Sequence, residues 1–351
     1  MQPRLLVLRA LGLGDLLTAV PALRALARAF AGHERILAAP TALAPLIELI
    51  DADGEPAVHR FAAAGALEPL PRELHGADTA VNLHGRGPES HRLLLATAPR
   101  RCLWFSHPAI AGSGGFPRWQ ADEHEVARWC RMLCELGIPT DPRELGLRAP
   151  GDGGAGRPSA LARGATVIHP GAASAARRWP PERFAAVARA EAAAGRPVVI
   201  TGSHAERPAA LAVARAAGLG SESVLAGRTD LAELGRIVAA AGRVVCGDTG
   251  VGHLATALAT PSVLLFGPTS PDEWGPPRGG GPHRVLWAGR RGDPHGERPD
   301  PGLLSISPEQ VLDALAGLAR PAQAATTADA SEISSEIPAS PASSARTSLP
   351  S

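Results

Sequence analysis

Short apolar runs of strand length alternate with helical stretches along most of this chain, and few folds accommodate that order. Parallel strands need a long crossover between them, so repeated strand-then-helix units predict parallel sheets covered by helices on both faces. In the first half the strand-like runs are residues 5–8, 35–39, 57–61, 79–83 and 101–105, with helices expected over 16–30 and 122–136. Gly137 and Pro139 stop the second of these in the usual order. Residues 149–164 read APGDGGAGRPSALARG, too rich in Gly and Pro for a regular element. A second alternating series follows, with strands at 166–169, 197–201, 243–247 and 262–266. Its helices fall near 181–194, 207–217, 231–241 and 251–258, and Asp230 with Glu233 makes a capping-box pair at the third.

The expected organisation is an α/β chain of two Rossmann-like domains facing each other across a cleft. The first covers 1–150, a linker 151–164, and the second 165–306. A last helix over 307–319 opens with a Ser307-Pro308-Glu309-Gln310 box. Beyond it, 321–351 contains Ala, Ser, Thr and Pro with almost no large apolar side chain. Such a segment cannot bury enough surface to offset its ordering entropy, so a disordered tail is expected.

Charge and composition exclude several classes of function. A net charge of +1 gives no concentrated basic surface, so nucleic acid is not expected as a partner. Lysine and tyrosine are absent, and arginine carries the basic charge. Cys102, Cys130, Cys134 and Cys246 form no CxxC pair, which favours reduced thiols over a zinc site or disulfide framework. The chain opens on a strand-like run with no cleavage pattern, and no stretch of about 18 uncharged apolar residues occurs. A cytoplasmic location without a transmembrane segment is the expectation, and with no basic amphipathic helix any association with the inner membrane face should be weak.

Ligands of such domains sit beyond the C-terminal ends of the strands, so residues that immediately follow strands are the site candidates. Residues 9–21 leave a strand through Gly12 and Gly14 into a helix whose first turn holds Asp15. A dinucleotide fingerprint needs a third glycine where Leu17 stands and an acid after the next strand, where Ala38-Ala39-Pro40 stands instead. Asp15 is then either a carboxylate meeting the helix dipole or a general base aimed into the cleft. In residues 167–184 a small-residue loop ends in Arg177 and Arg178, whose guanidinium groups can fork onto phosphate oxygens.

Thr201 and Gly202 end a further strand, and Glu206 beyond them is placed to accept hydrogen bonds from ribose hydroxyls or to serve as a helix N-terminal charge. Finally, Gly247-Asp248-Thr249-Gly250 carries a strand straight into a helix whose free amides make an anion site, with His253 one turn in. The dipole supplies at most about 2 kcal/mol, so a diphosphate there also needs an arginine across the cleft, and Arg177 is the candidate. The DxD triplet Asp51-Ala52-Asp53 is followed by Gly54 and reads as a turn, so no metal is expected.

Four segments in this order, GLGDLLTAVPALRAL, HPGAASAARRWPPERF, TGSHAE and GDTGVGHLATALATPSVLLFGPTSPDEWGP, resemble glycosyltransferase family 9, the ADP-heptose:lipopolysaccharide heptosyltransferases. The resemblance implies a GT-B fold and an inverting, metal-independent transfer from a nucleotide-sugar donor to a glycan or glycolipid acceptor, with no cofactor. It implies acceptor binding by the first domain, donor binding by the second, and a last helix packing back toward the first. Carried over by position, Asp15 matches the catalytic base and Glu206 the ribose-binding acid. Asp248, Thr249, Gly250 and His253 match the donor loop. Arg177 stands where the family commonly has lysine, and its fork is longer and more directional than an ammonium. Two other functions fit the same segments: a nucleotide-sugar epimerase, which turns over donor alone, and a non-catalytic sugar-nucleotide binder.

Overall fold

The computed structural model describes residues 2–151, 157–278 and 281–318. Two five-stranded sheets dominate it. The first contains β1 (Arg4–Leu8), β2 (Glu34–Ala39), β3 (Arg60–Ala63), β4 (Thr79–Asn82) and β5 (Arg101–Leu103) in the spatial order β3-β2-β1-β4-β5, every pair parallel. The second contains β6 (Thr166–His169), β7 (Val198–Ile200), β8 (Arg243–Gly247), β9 (Ser262–Phe266) and β10 (His283–Trp287), ordered β10-β9-β8-β6-β7 and again wholly parallel. Val224 adds a parallel bridge to Ile200 beyond β7. The domains are thus Rossmann-like, and each chain path reverses direction once, between β1 and β4 and between β6 and β8. Crevices open at those points, beyond the strand ends.

The strands form where apolar, β-branched or leucine-rich runs are covered on both faces. Leu5, Leu6, Val7 and Leu8 are all buried, as are Val244, Val245 and Cys246 in β8. Each such side chain contributes about 1.5–3 kcal/mol of burial. The apolar cluster continues from the first domain into the second, because the Leu13–Thr18 helix packs along the Gly250–Ala257 helix and Thr41–Ile47 lies near the Leu231–Ala240 helix.

The structure departs from the sequence expectations at several points. The expected helix over 16–30 is two helices, Leu13–Thr18 and Val20–Ala29, broken at Ala19 just before Pro21, which has no N–H to continue the ladder. Strand β10 was not anticipated after its Gly- and Pro-rich approach. A helix, Arg157–Ala162, stands in the stretch expected to be irregular linker. Glu233 explains part of this: its carboxylate accepts from the Ser159 amide (2.8 Å) and from Arg236 Nε (2.7 Å) rather than closing a box at Asp230. Asp230 does cap, accepting from the Glu233 amide at 2.8 Å.

The last helix, Pro308–Ala316, has its Ser307/Gln310 box, but it packs on the Pro181–Ala193 helix and on β9 and β10. Val311 and Leu315 enter the second domain's own core, which corrects the expectation that this helix returns to the first domain. The Asp51-Ala52-Asp53 triplet enters a hairpin whose two-residue turn is Asp53-Gly54, with Asp53 at φ 54° and paired to Arg28. The tail expected over 321–351 lies outside the described residues.

Candidate functional site

Two adjoining cavities occupy the cleft. One, of about 720 Å³, is lined by Gly12, Gly14 and Asp15 from the first domain and by Arg177, Asp248, Thr249, Gly250 and His253 from the second. Trp274, Arg291 and His295 complete its far wall. The other, of about 610 Å³, is lined by Gly202, Ser203, Glu206, Leu231, Leu234 and Val251, with Thr41, Ala42 and Pro45 of the first domain opposite. Leu13, Ala173, Thr249 and Gly250 border both, so a ligand crossing the Gly250 helix start occupies the two together.

The helix start behaves as an anion site. Thr249 is its N-cap with no side-chain cap bond, and while the Gly252 amide donates to the Thr249 carbonyl (3.0 Å), the Gly250 and Val251 amides at the helix start have no intrahelical carbonyl to receive them. The Thr249 hydroxyl and Arg177 Nε are buried with no hydrogen-bond partner among the described residues. Arg177 reaches over this turn, with Nη1 3.7 Å from Asp248 Oδ2 and 3.5 Å from the Asp248 carbonyl. Gly247 lets its loop lie close, since a Cβ there would meet the Arg177 carbonyl at 3.1 Å. The loop is pinned from outside, where the Ala176 amide donates to Gly296 O (3.0 Å) and the Asp300 amide to Ala176 O (3.1 Å).

Asp15 projects from the opposite domain with a quarter to a third of its side chain exposed. Its Oδ2 accepts from the Gly12 amide at 3.2 Å, so it closes the helix start and faces the cavity at the same time. His253 is half-buried at the interface, and desolvation lowers its pKa despite the nearby carboxylates of Asp248 and Asp15, so at neutral pH the ring is uncharged.

In the second cavity the Ser203 amide donates to Glu206 Oε2 at 2.7 Å. Burial pushes the Glu206 carboxyl up, but hydrogen bonding from Ser203 and the nearby Arg178 charge oppose it and hold the group below the usual range. It is therefore an ionised acceptor.

Two expected site residues are not part of either cavity. Thr201 is fully buried, and its hydroxyl is 3.0 Å from His169 Nδ1, inside the domain. Arg178 is exposed, its Nε donating to Ala172 O at 2.9 Å, and it acts on Glu206 through its charge alone. The remaining sequence candidates all line one cavity or the other. Sequence reasoning missed Arg9, Trp274, Arg291, His295 and the 41–45 turn. Only Arg9 carried a signal, as a charge ending an otherwise apolar strand. Among the described residues, no group of three or more His, Cys, Asp or Glu side chains converges as a metal-binding set.

Two Rossmann-like domains with the cleft between them define a GT-B fold, and solved structures agree. An E. coli ADP-heptose lps heptosyltransferase II superposes with a TM-score of 0.71 at 23% identity, covering 89% of this chain and 97% of that one. An E. coli heptosyltransferase with ADP gives 0.63 at 19%, covering 89% and 99%. The particular family signal comes from sequence: residues 117–281 match the model described as glycosyltransferase family 9 (heptosyltransferase), and over this part the chain is similar to the heptosyltransferases. Lipopolysaccharide heptosyltransferase 2 of Salmonella typhimurium is 34% identical over 157 residues, 41% of this chain, so the chain spans 43% of that relative's length. The family match includes Arg177, Glu206, Asp248 and His253, whereas Asp15 lies before it.

Proposed function

We propose that this chain is an inverting glycosyltransferase that moves a heptose-like sugar from an ADP-sugar to a hydroxyl of a cell-envelope glycan or glycolipid. One observation carries the proposal: a first-domain carboxylate, Asp15, and a second-domain anion site, Arg177 with the Gly250 helix start, line the same cavity. The ADP of the similar E. coli heptosyltransferase structure supports the choice of nucleotide.

In this reading the nucleoside lies in the cavity of Glu206, whose carboxylate accepts from ribose hydroxyls. The diphosphate crosses Thr249 and Gly250, and the sugar enters the cavity of Asp15. Asp15 takes the proton of the acceptor hydroxyl as its oxygen bonds to the anomeric carbon from the side opposite the diphosphate. The bond from that carbon to the diphosphate oxygen breaks, and its electron pair leaves with the nucleotide. Inversion follows from this in-line geometry. Arg177, the first-turn amides and the Thr249 hydroxyl meet the leaving charge, each charged hydrogen bond being worth about 1.5–3 kcal/mol. This chemistry needs no metal, so activity should survive chelation by EDTA.

The first domain, 1–150, is proposed to hold the acceptor and the second, 165–306, the donor. No helix of the described residues is long and apolar enough to cross a membrane, so we place the enzyme in the cytoplasm, meeting a lipid-linked acceptor through weak peripheral contact. The test is transfer from ADP-heptose to heptose-deficient lipopolysaccharide by wild type and Asp15→Asn. The variant should bind ADP normally and lose about 10²–10⁴-fold in kcat. Normal turnover by the variant, or release of an epimerised donor without acceptor, defeats the proposal.

A further inference from the structure

We propose that Arg9 is the positioning residue for Asp15, held in place by Glu125, and that the segment 121–125 ties this arrangement to the second domain. The inference rests on the role of Asp15 given above and extends it to Arg9 and Glu125, which line neither cavity.

Arg9 follows β1 and is fully buried, an unusual place for a guanidinium unless its donors are matched. Nε donates to the Asp15 carbonyl at 2.9 Å, Nη1 donates to the Leu83 carbonyl beyond β4, and Nη2 reaches Thr18 Oγ1 and Glu125 Oε1, both at 3.1 Å. Its guanidinium carbon lies 4.8 Å from the centre of the Trp129 ring. The cation is thereby fixed from both sides of the crevice at the β1/β4 switch point.

What distinguishes this from a core ion pair is where the contacts converge. The Thr18 hydroxyl, one of Arg9's partners, donates to the same Asp15 carbonyl at 2.9 Å. Two donors therefore fix the peptide that carries Asp15, while Arg9 Nη2 stands 3.7 Å from Asp15 Oδ1 and the Gly12 amide holds Oδ2. Both carboxylate oxygens are thus oriented, Oδ1 by a buried guanidinium that lines neither cavity and Oδ2 by the Gly12 amide at the cavity wall. A shorter, unforked ammonium at position 9 cannot reach these partners together.

Glu125, which anchors Arg9, also accepts from Trp129 Nε1 (2.8 Å) and is paired with Arg128. The turn before it is fastened to the other domain. His124 Nδ1 accepts from the Val126 amide, so Nε2 carries the proton and donates to Gly275 O at 3.0 Å. Asp122 pairs with Arg291 at 3.3 Å. Closure of the cleft and orientation of Asp15 therefore share one short segment.

The experiment compares wild type with Arg9→Lys, Thr18→Val and His124→Ala, each alone and combined with Asp15→Asn, using ADP-heptose and heptose-deficient lipopolysaccharide. Thr18→Val keeps volume and guards against misfolding at position 9. Each single variant should lower kcat by about 10- to 100-fold, as expected of a misplaced base, with donor KM within about twofold of wild type. In the Asp15→Asn background none should lower kcat further. Unchanged kcat in both Arg9→Lys and Thr18→Val, or losses that multiply with that of Asp15→Asn, overturns the inference. If wild type transfers no sugar, the role of Asp15 has failed instead. Positioning is then decided by a crystal structure of Arg9→Lys with ADP: a displaced Asp15 carboxylate sustains it, and an unmoved one overturns it.

Discussion

Gly14 of the first domain lies against His253 of the second so closely that a Cβ added at Gly14 would stand 2.8 Å from His253 Cδ2. The reciprocal contact is equally tight, a Cβ on Gly250 falling 2.8 Å from Leu13 Cβ. Two glycines thus allow the Leu13–Thr18 and Gly250–Ala257 helices to meet at the wall shared by both cavities. Gly14→Ala and Gly250→Ala should part the domains slightly and lower kcat/KM about tenfold or more, while leaving thermal stability nearly unchanged. Small-angle scattering should report a larger radius of gyration for both. Gly32→Ala is the control, since nothing lies within 4 Å of a Cβ there. Wild-type kinetics in both cleft variants would show that the contact is incidental.

Arg177 is only loosely paired in the structure, 3.7 Å from Asp248 Oδ2, and its buried Nε has no partner among the described residues. A group so placed is available to phosphate oxygens. Arg177→Ala should weaken ADP binding by about 10- to 150-fold, the equivalent of one charged hydrogen bond at 1.5–3 kcal/mol. Arg177→Lys should recover part of the loss, because it restores charge without the fork. Isothermal titration with ADP measures both. Equal affinity in Arg177→Ala and wild type would remove Arg177 from the phosphate site.

Much of the fold was legible because its signals are local. The run 5–8 is apolar without interruption, which is what a parallel strand covered on both faces requires, and Pro-initiated helices such as Pro181–Ala193 announce their own starts. The site candidates were legible for a related reason: in parallel α/β sheets, the residues just beyond the strands are the ones that face ligand. What stayed hidden depends on distant partners. Arg9 meets Glu125, which is 116 positions away, and Thr201 is withdrawn from the cavity by His169, 32 positions away. No pattern within a window reports such pairings. The last helix shows the limit of resemblance, since its capping box marked its start while its packing partner was decided by Val311 and Leu315 meeting the second domain's core.

Acid should destabilise the protein earlier than its carboxylates alone would dictate. His84, His91, His169, His253 and His283 all have pKa values lowered by burial, so the folded state holds these rings neutral. The unfolded chain protonates them near pH 6.5. Between the folded and unfolded values the unfolded state binds more protons, so stability rises with pH there and falls as pH drops below about 6.5. Glu191 and Glu206, whose folded values lie below the usual range, add a further loss in the same direction at lower pH. Each proton taken up on unfolding steepens the dependence by about 1.4 kcal/mol per pH unit. Urea unfolding at pH 8, 7, 6 and 5 measures that slope, and a stability unchanged from pH 7 to pH 5 would show that these rings are not held neutral.

Glu206 offers the sharpest separation of binding from chemistry. Its carboxylate is ionised, fixed by the Ser203 amide at 2.7 Å, and lies in the cavity away from Asp15. It owes its approach to Gly171, because a Cβ on Gly171 would fall 2.1 Å from Glu206 Oε1 and force the carboxylate aside. If it accepts from ribose hydroxyls, Glu206→Ala should raise donor KM by about 10- to 100-fold and leave kcat at saturating donor close to wild type. Gly171→Ala should reproduce that effect with Glu206 still present. The diagnostic comparison is ADP against 2′-deoxy-ADP: wild type should prefer the ribonucleotide, and Glu206→Ala should bind the two nearly alike. A preference that survives the substitution would place the ribose elsewhere in the cleft, and with it the assignment of the two cavities to nucleoside and sugar.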